Sequence, residues 1–343
     1  YGLTMLFVIG GLYGFIGGGL FGLALTDSPT KPVKWHEVIV EMVVGGALFY
    51  FFLIEEFDWR MTPPRSEMWA VCFGAAVALT WYLVRQRYDS ALRVAVFAGL
   101  GGGFGFAFGN FLQVLGNLTD IKFNFWNVME YSLGFFGGLG MAYGTLTSEW
   151  EPNEPTQPKR QIWFPLLMVM LVIPYIVWQQ SFELERLQDI FSKIDVSPDS
   201  PVINAVQLVS LGMVLGMTGW YWARFYQNKA NPASYSENEV FALFLSLLGL
   251  YILFSLFITG AFMSGYRIEQ YLYIVNWLVV AFLIRKAHPV FTHSRLAPKQ
   301  WAINFGVVLV FFALLTTVLI HSHGELKGSH KRFGAPPPVE ESQ

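Results

Sequence analysis

Apolar residues run along this chain in long blocks separated by short polar or proline-bearing stretches, and the alternation continues from one end to the other. A hydrocarbon core of roughly 30 Å asks for about 20 residues of helix per crossing. Blocks of that kind fall at residues 2–25, 36–54, 67–84, 92–116, 125–146, 161–179, 202–223, 239–263, 268–284 and 301–320. The pattern predicts an all-α, polytopic integral membrane bundle of about ten transmembrane helices. The breaks have physical causes. Asp27-Ser28-Pro29 and Pro63-Pro64 do not continue a helix, and Pro152, Pro155 and Pro158 make 149–160 a polar linker. After the sixth block, Phe182, Leu184, Leu187, Ile190, Phe191 and Ile194 recur at roughly helical spacing. That segment reads either as an amphipathic helix on the membrane surface or as an ordinary structured loop. The tail 321–343, with Pro336 to Pro338 in a row, reads as polar and extended. Apolar sequence starts at Tyr1 with no charged stretch before it, so no signal peptide is read there.

The blocks resemble one another. A shift of 91 positions lays Gly10, Gly14 and Gly18 on Gly101, Gly105 and Gly109, Trp35 on Trp126 and Gly46 on Gly137. With slight slippage Glu37 meets Glu130 and Trp69 meets Trp163; a fainter third register carries Glu37 to Glu269 and Trp69 to Trp301. The chain therefore reads as three-helix repeats built from spans 1–3, 4–6 and 8–10, with span 7 inserted. In residues these are 1–90, 91–180, an interfacial loop plus inserted span at 181–225, 226–320, and the tail. An odd number of spans inverts the second copy relative to the first.

Composition sharpens the membrane reading. Charged residues make up 13% of the chain, against roughly 25% in soluble domains, which leaves too few ionic groups for a water-facing surface. Mean hydropathy is +0.45. The net charge of −2 comes with no basic block able to neutralise a run of phosphates, so no nucleic-acid partner is expected. Cys72 is the single cysteine, which excludes an internal disulfide and a thiolate metal cluster. None of the six histidines lies deep in a span; His36, His288 and His293 sit at ends, and His321, His323 and His330 follow the last span. No cofactor and no metal site is expected.

Loops after the odd-numbered spans hold 13 Lys and Arg residues, the opposite loops hold six, and three lie in the tail. That bias places the richer loops in the cytoplasm of an inner-type cell membrane, with both termini on the other side.

Two residue classes then carry the candidate function. Gly10, Gly14, Gly18 and Gly22, and again Gly101, Gly105 and Gly109, recur every fourth residue. Each set lies on one helix face where a neighbouring backbone can come close. The second class is polar groups within spans: Glu41 a turn and a half into span 2, Glu130 near the start of span 5, Asn110 and Gln113 three apart in span 4, and Asn276 in span 9. A carboxylate at the bilayer centre costs roughly 2.5–3.5 kcal/mol on insertion scales, so Glu41 and Glu130 should be paired, solvated or protonated. They are read as substrate or ion contacts, with helix-end stabilisation as the plainer alternative.

Three functions fit. The leading reading is a transporter of a small, weakly polar or lipid-like solute, on the strength of the inverted repeat and the two carboxylates. The alternative is a non-catalytic structural or assembly subunit of a larger membrane complex, partnered by the bilayer and other membrane subunits. The third is a membrane enzyme acting on lipid-linked substrates through the loop carboxylates at Glu55-Glu56-Phe57-Asp58 and Glu149-Trp150-Glu151. Without a nucleophile elbow or phosphate loop, enzyme is the weakest of the three.

Overall fold

A computed structural model describes residues 2–28, 30–59, 67–119, 121, 123–150, 163–227, 236–265, 269–287, 289–292 and 298–322. All regular structure among them is helical: α1 Leu3–Thr26, α2 Trp35–Tyr50 continued by a π-helical turn Phe51–Glu56, α3 Met68–Arg85, α4 Asp89–Asn117, α5 Phe125–Leu146, α6 Trp163–Leu167 joined by a π-helical turn Met168–Val172 to α7 Ile173–Ser181, α8 Leu184–Ser192, α9 Pro201–Gln227, α10 Glu237–Ile258, α11 Glu269–Ile284 and α12 Pro298–Ser322. Among the described residues eight helices are long and apolar enough to cross a membrane. The two remaining blocks are also helical. In α5, Asn127, Glu130 and interspersed glycines dilute the apolar character, and α11 has 16 residues, short of a perpendicular crossing. The 151–162 linker and the tail beyond 322 lie outside the described residues.

Helix starts follow local chemistry. At α10, the Ser236 side chain accepts the Glu239 backbone N–H while the Glu239 carboxylate takes the Ser236 N–H, a capping box that fixes the start two residues before the apolar block. At α4, Asp89 in the first turn complements the helix dipole and extends the helix upstream of residue 92.

The chain divides into two compact units, Tyr1–Asn153 with Pro289–Gln343, and Glu154–His288. Residues 91–180 contribute α4 and α5 to the first unit and α6 and α7 to the second.

In the first unit α4 lies between α1 and α5, while α2 packs on α3. One core, around Leu23, Val38, Leu79, Tyr82, Leu83, Ala91 and Ala95, gathers α1 to α4. A second, around Leu3, Phe7, Ala107, Phe312 and Leu319, seats α12 on α1 and α4.

In the second unit the helical alternative for residues 184–192 is the one realised. The helix is held by protein as well as by its amphipathic pattern: Leu187 and Phe191 are fully buried with Ile203, Val206, Val214, Leu250 and Phe254. Trp178 Nε1 donates to Ser210 Oγ at 2.9 Å, and Gln207 Nε2 donates to the Phe182 carbonyl at 2.6 Å, so polar groups also tie α7 to α9.

Candidate functional site

The α4–α5 hairpin is assembled by the absence of side chains. A methyl placed on Gly10 would sit 2.6 Å from the Gly102 carbonyl oxygen, and one on Gly22 would sit 2.6 Å from Ala91 Cα. At Gly14 it would run into the Ala98 carbonyl, and at Gly18 into the Ala98 side chain. These four glycines of α1 therefore face α4. The opposite side of α4 meets α5 in the same way: added carbons would lie 2.5 Å from the Ser132 carbonyl at Gly105 and 2.7 Å from the Met129 carbonyl at Gly109, and would overlap the Phe136 carbonyl at Gly101. Lipid tails are as apolar as leucine, so the gain from such contacts is close backbone dispersion, which a bulkier residue would forfeit. Aromatic rings fill the flanks, with Phe104 edge-on to Phe136 at 4.8 Å and Phe97 edge-on to Tyr143 at 4.6 Å.

One end of this hairpin is polar and closed. Arg93, 6% exposed, donates from Nε to Thr147 Oγ1 at 3.0 Å and lies 4.9 Å above the Phe97 ring. The Thr147 hydroxyl donates to the Tyr143 carbonyl and that of Ser148 to the Gly144 carbonyl, each at 2.7 Å. Ser90 Oγ donates to the Glu149 carbonyl, which joins the start of α4 to the chain leaving α5. Nearby, the loop after α1 is clipped to the turn after α3. Lys31 Nζ donates to the Arg87 carbonyl at 3.0 Å, and the Lys34 N–H donates to the Tyr82 hydroxyl at 3.1 Å. Asp27 accepts the Val33 N–H and the Trp35 indole N–H.

A family model described as photosynthesis affected mutant 68 matches residues 83–157. The match spans 75 of the 343 residues, running from the last turn of α3 through α4 and α5. No curated protein matches the chain. No solved structure matches it either.

The matched segment contains the glycine faces of α4, the Arg93 end and Glu130. Its second helix also presents an outer face: Tyr131, Phe135, Leu139 and Tyr143 are exposed, and a Cβ added at Gly134 or Gly138 would meet nothing beyond its own helix within 4 Å among the described residues.

The sequence-predicted polar residues do not form one group. Glu41 accepts from Arg85 Nη2 at 2.5 Å, with Glu37 3.9 Å from the same guanidinium and 2.8 Å from Lys34 Nζ. The Glu37 carboxylate holds the Lys34 ammonium above the ordinary lysine value of 10.5. While Glu37 is ionised, the bridge is complete below 10.5 and weakens as pH rises past it; protonation of Glu37 in acid also breaks it. The second Glu41 oxygen is buried without a hydrogen bond. Glu130 accepts the Trp126 indole N–H at 2.7 Å, one turn away on its own helix. Asn110 Nδ2 donates to Gln113 Oε1 at 3.4 Å, a long bond within α4. Asn276 is partly buried on α11, in the second unit.

From sequence, Arg93 reads only as one of the 13 cations assigned to loops after the odd-numbered spans. A signal was available: Arg93, Phe97, Gly101, Gly105 and Gly109 are spaced by four, so Arg93 shares the face that α5 covers.

Proposed function

We propose that this chain is a non-catalytic assembly or structural subunit that serves photosynthetic complexes in the thylakoid membrane, with membrane subunits as its partners. The observation that carries this reading is the family match, which falls on the glycine-packed α4–α5 hairpin and its closed polar end. The carboxylates give it indirect support. Glu41 is bound to Arg85 across α2 and α3, which is how polar groups fasten helices in lipid, and Glu130 is bound to Trp126 within its own helix. A transporter reading would instead use those oxygens for a solute.

The test is isolation of the tagged chain from photosynthetic membranes in mild detergent, followed by native electrophoresis. Co-migration with a larger assembly and depletion of a photosynthetic complex on gene deletion are expected. Gly134→Leu with Gly138→Leu should leave accumulation unchanged, since a Cβ at either position meets no described residue of another element within 4 Å, and should reduce co-migration. A chain that migrates alone, with photosynthetic complexes at normal abundance in the deletion strain, would overturn the assignment.

A further inference from the structure

The segment joining α6 to α7 contains an unusual arrangement of one proline, one carbonyl and one hydroxyl. Residues Met168–Val172 form a π-helical turn, with the Ile173 N–H reaching back to the Met168 carbonyl. Pro174 follows immediately. Pro174 has no N–H, so one carbonyl of this turn loses its usual backbone donor: Val169 counting five residues back, as in the wide turn, or Met170 counting four, as in an α-helix. Inside a hydrocarbon core a carbonyl freed in this way is satisfied by a neighbouring side chain, an ordered water or a local widening of the helix. Here the Thr218 hydroxyl of α9 reaches into the bend and donates to the Met170 carbonyl at 2.8 Å. The same oxygen lies 2.7 Å from the Val214 carbonyl, one turn back on its own helix. A hydroxyl has one proton, so the two acceptors compete for it. Val214 already receives the Thr218 N–H through the α9 ladder, so its carbonyl does not depend on the hydroxyl proton.

We infer that Met168–Pro174 is a hinge in the second unit and that Thr218 is its latch: with the proton on Met170 the bend is fastened to α9, and with the proton on Val214 it is released. This goes beyond the proposed assembly role, because it concerns α6, α7 and α9, which the family match does not reach. Wide turns and prolines are both recognised sites of helix bending.

The test uses the full chain in lipid nanodiscs, with spin labels at Phe164 and Ser181 in a Cys72→Ala background and pulsed dipolar distance measurement. About 17 residues at 1.5 Å rise place the labels within reach of the method. The wild-type chain and Thr218→Ser, which keeps the hydroxyl, should give a narrow distance distribution. Thr218→Val should broaden or shift it. Pro174→Ala restores an N–H at the bend, so in that background Thr218→Val should again give a narrow distribution. An unchanged distribution in Thr218→Val, or a Thr218→Ser as broad as Thr218→Val, would overturn the latch. If Thr218→Val does not accumulate, the double variant decides. Accumulation with a narrow distribution supports the inference, and failure to accumulate refutes it.

Discussion

At Gly14 and Gly105 the missing side chain is what lets two helices touch: the Ala98 carbonyl occupies the place of a Cβ at the first, and the Ser132 carbonyl lies 2.5 Å from it at the second. Leucine at either site has to push backbone against backbone. Overpacking costs about 1–3 kcal/mol even where side chains can yield, and here rigid carbonyls leave little room to yield. Gly14→Leu and Gly105→Leu should each lower the thermal midpoint of the detergent-solubilised chain or abolish accumulation. Gly17→Leu, whose Cβ would meet nothing beyond its own helix within 4 Å among the described residues, should behave as wild type. Equal behaviour of all three variants would show that backbone approach is not what holds α1, α4 and α5 together. Spacing by four was readable along the chain, but it does not separate Gly14 from Gly138. Which glycine stripe is covered depends on where neighbouring helices land. Glu41 teaches a related lesson. Its depth in the span was legible; its partner, Arg85, sits 44 residues away and only the α2–α3 pairing brings it near.

Among the elements, α8 shows how a short helix is retained. Nine residues are too few for stable helicity alone. Its stability comes from Leu187 and Phe191, both fully buried against α9 and α10. Phe191→Ala removes a large buried ring and should cost about 3–5 kcal/mol, read as a lowered unfolding midpoint. Leu184→Ala, on the exposed side, should be near neutral. A neutral Phe191→Ala would mean that the helix is carried by its lipid contacts instead. The sequence offered the amphipathic spacing and left helix and loop equally open, because spacing shows which residues would share a face and not what waits opposite that face. The π-helical turn before Pro174 was beyond sequence reading for the same reason: the proline announces a broken bond, but nothing local says that the Thr218 hydroxyl of another element reaches into the bend.

For the whole molecule, alternation of spans and cationic loops makes a topological statement that can be checked. Hydrogen bonds from Lys31 to Arg87 and from Ser90 to Glu149 bring the ends of α1, α3 and α5 to one end of the first unit. With the positive-inside bias, Thr30→Cys and Glu149→Cys in a Cys72→Ala background should react with an impermeant maleimide from the cytoplasmic or stromal face. Leu118→Cys, at the far end of α4, should react from the opposite face. Reaction of Thr30→Cys and Leu118→Cys from the same side would contradict the fold of this unit; the reverse pattern for all three would contradict only its orientation. Sequence alone determined that the chain is a set of apolar helices for lipid, and located the eight that are long and apolar enough to cross a membrane among the described residues, because length, hydropathy and helix-breaking residues act locally. Tertiary structure decided how those helices are shared between two units, which glycine faces are filled, and that Arg93, Glu41 and Thr218 have partners. Those outcomes depend on contacts between residues distant in the chain, and periodicity along one helix says nothing about its neighbour.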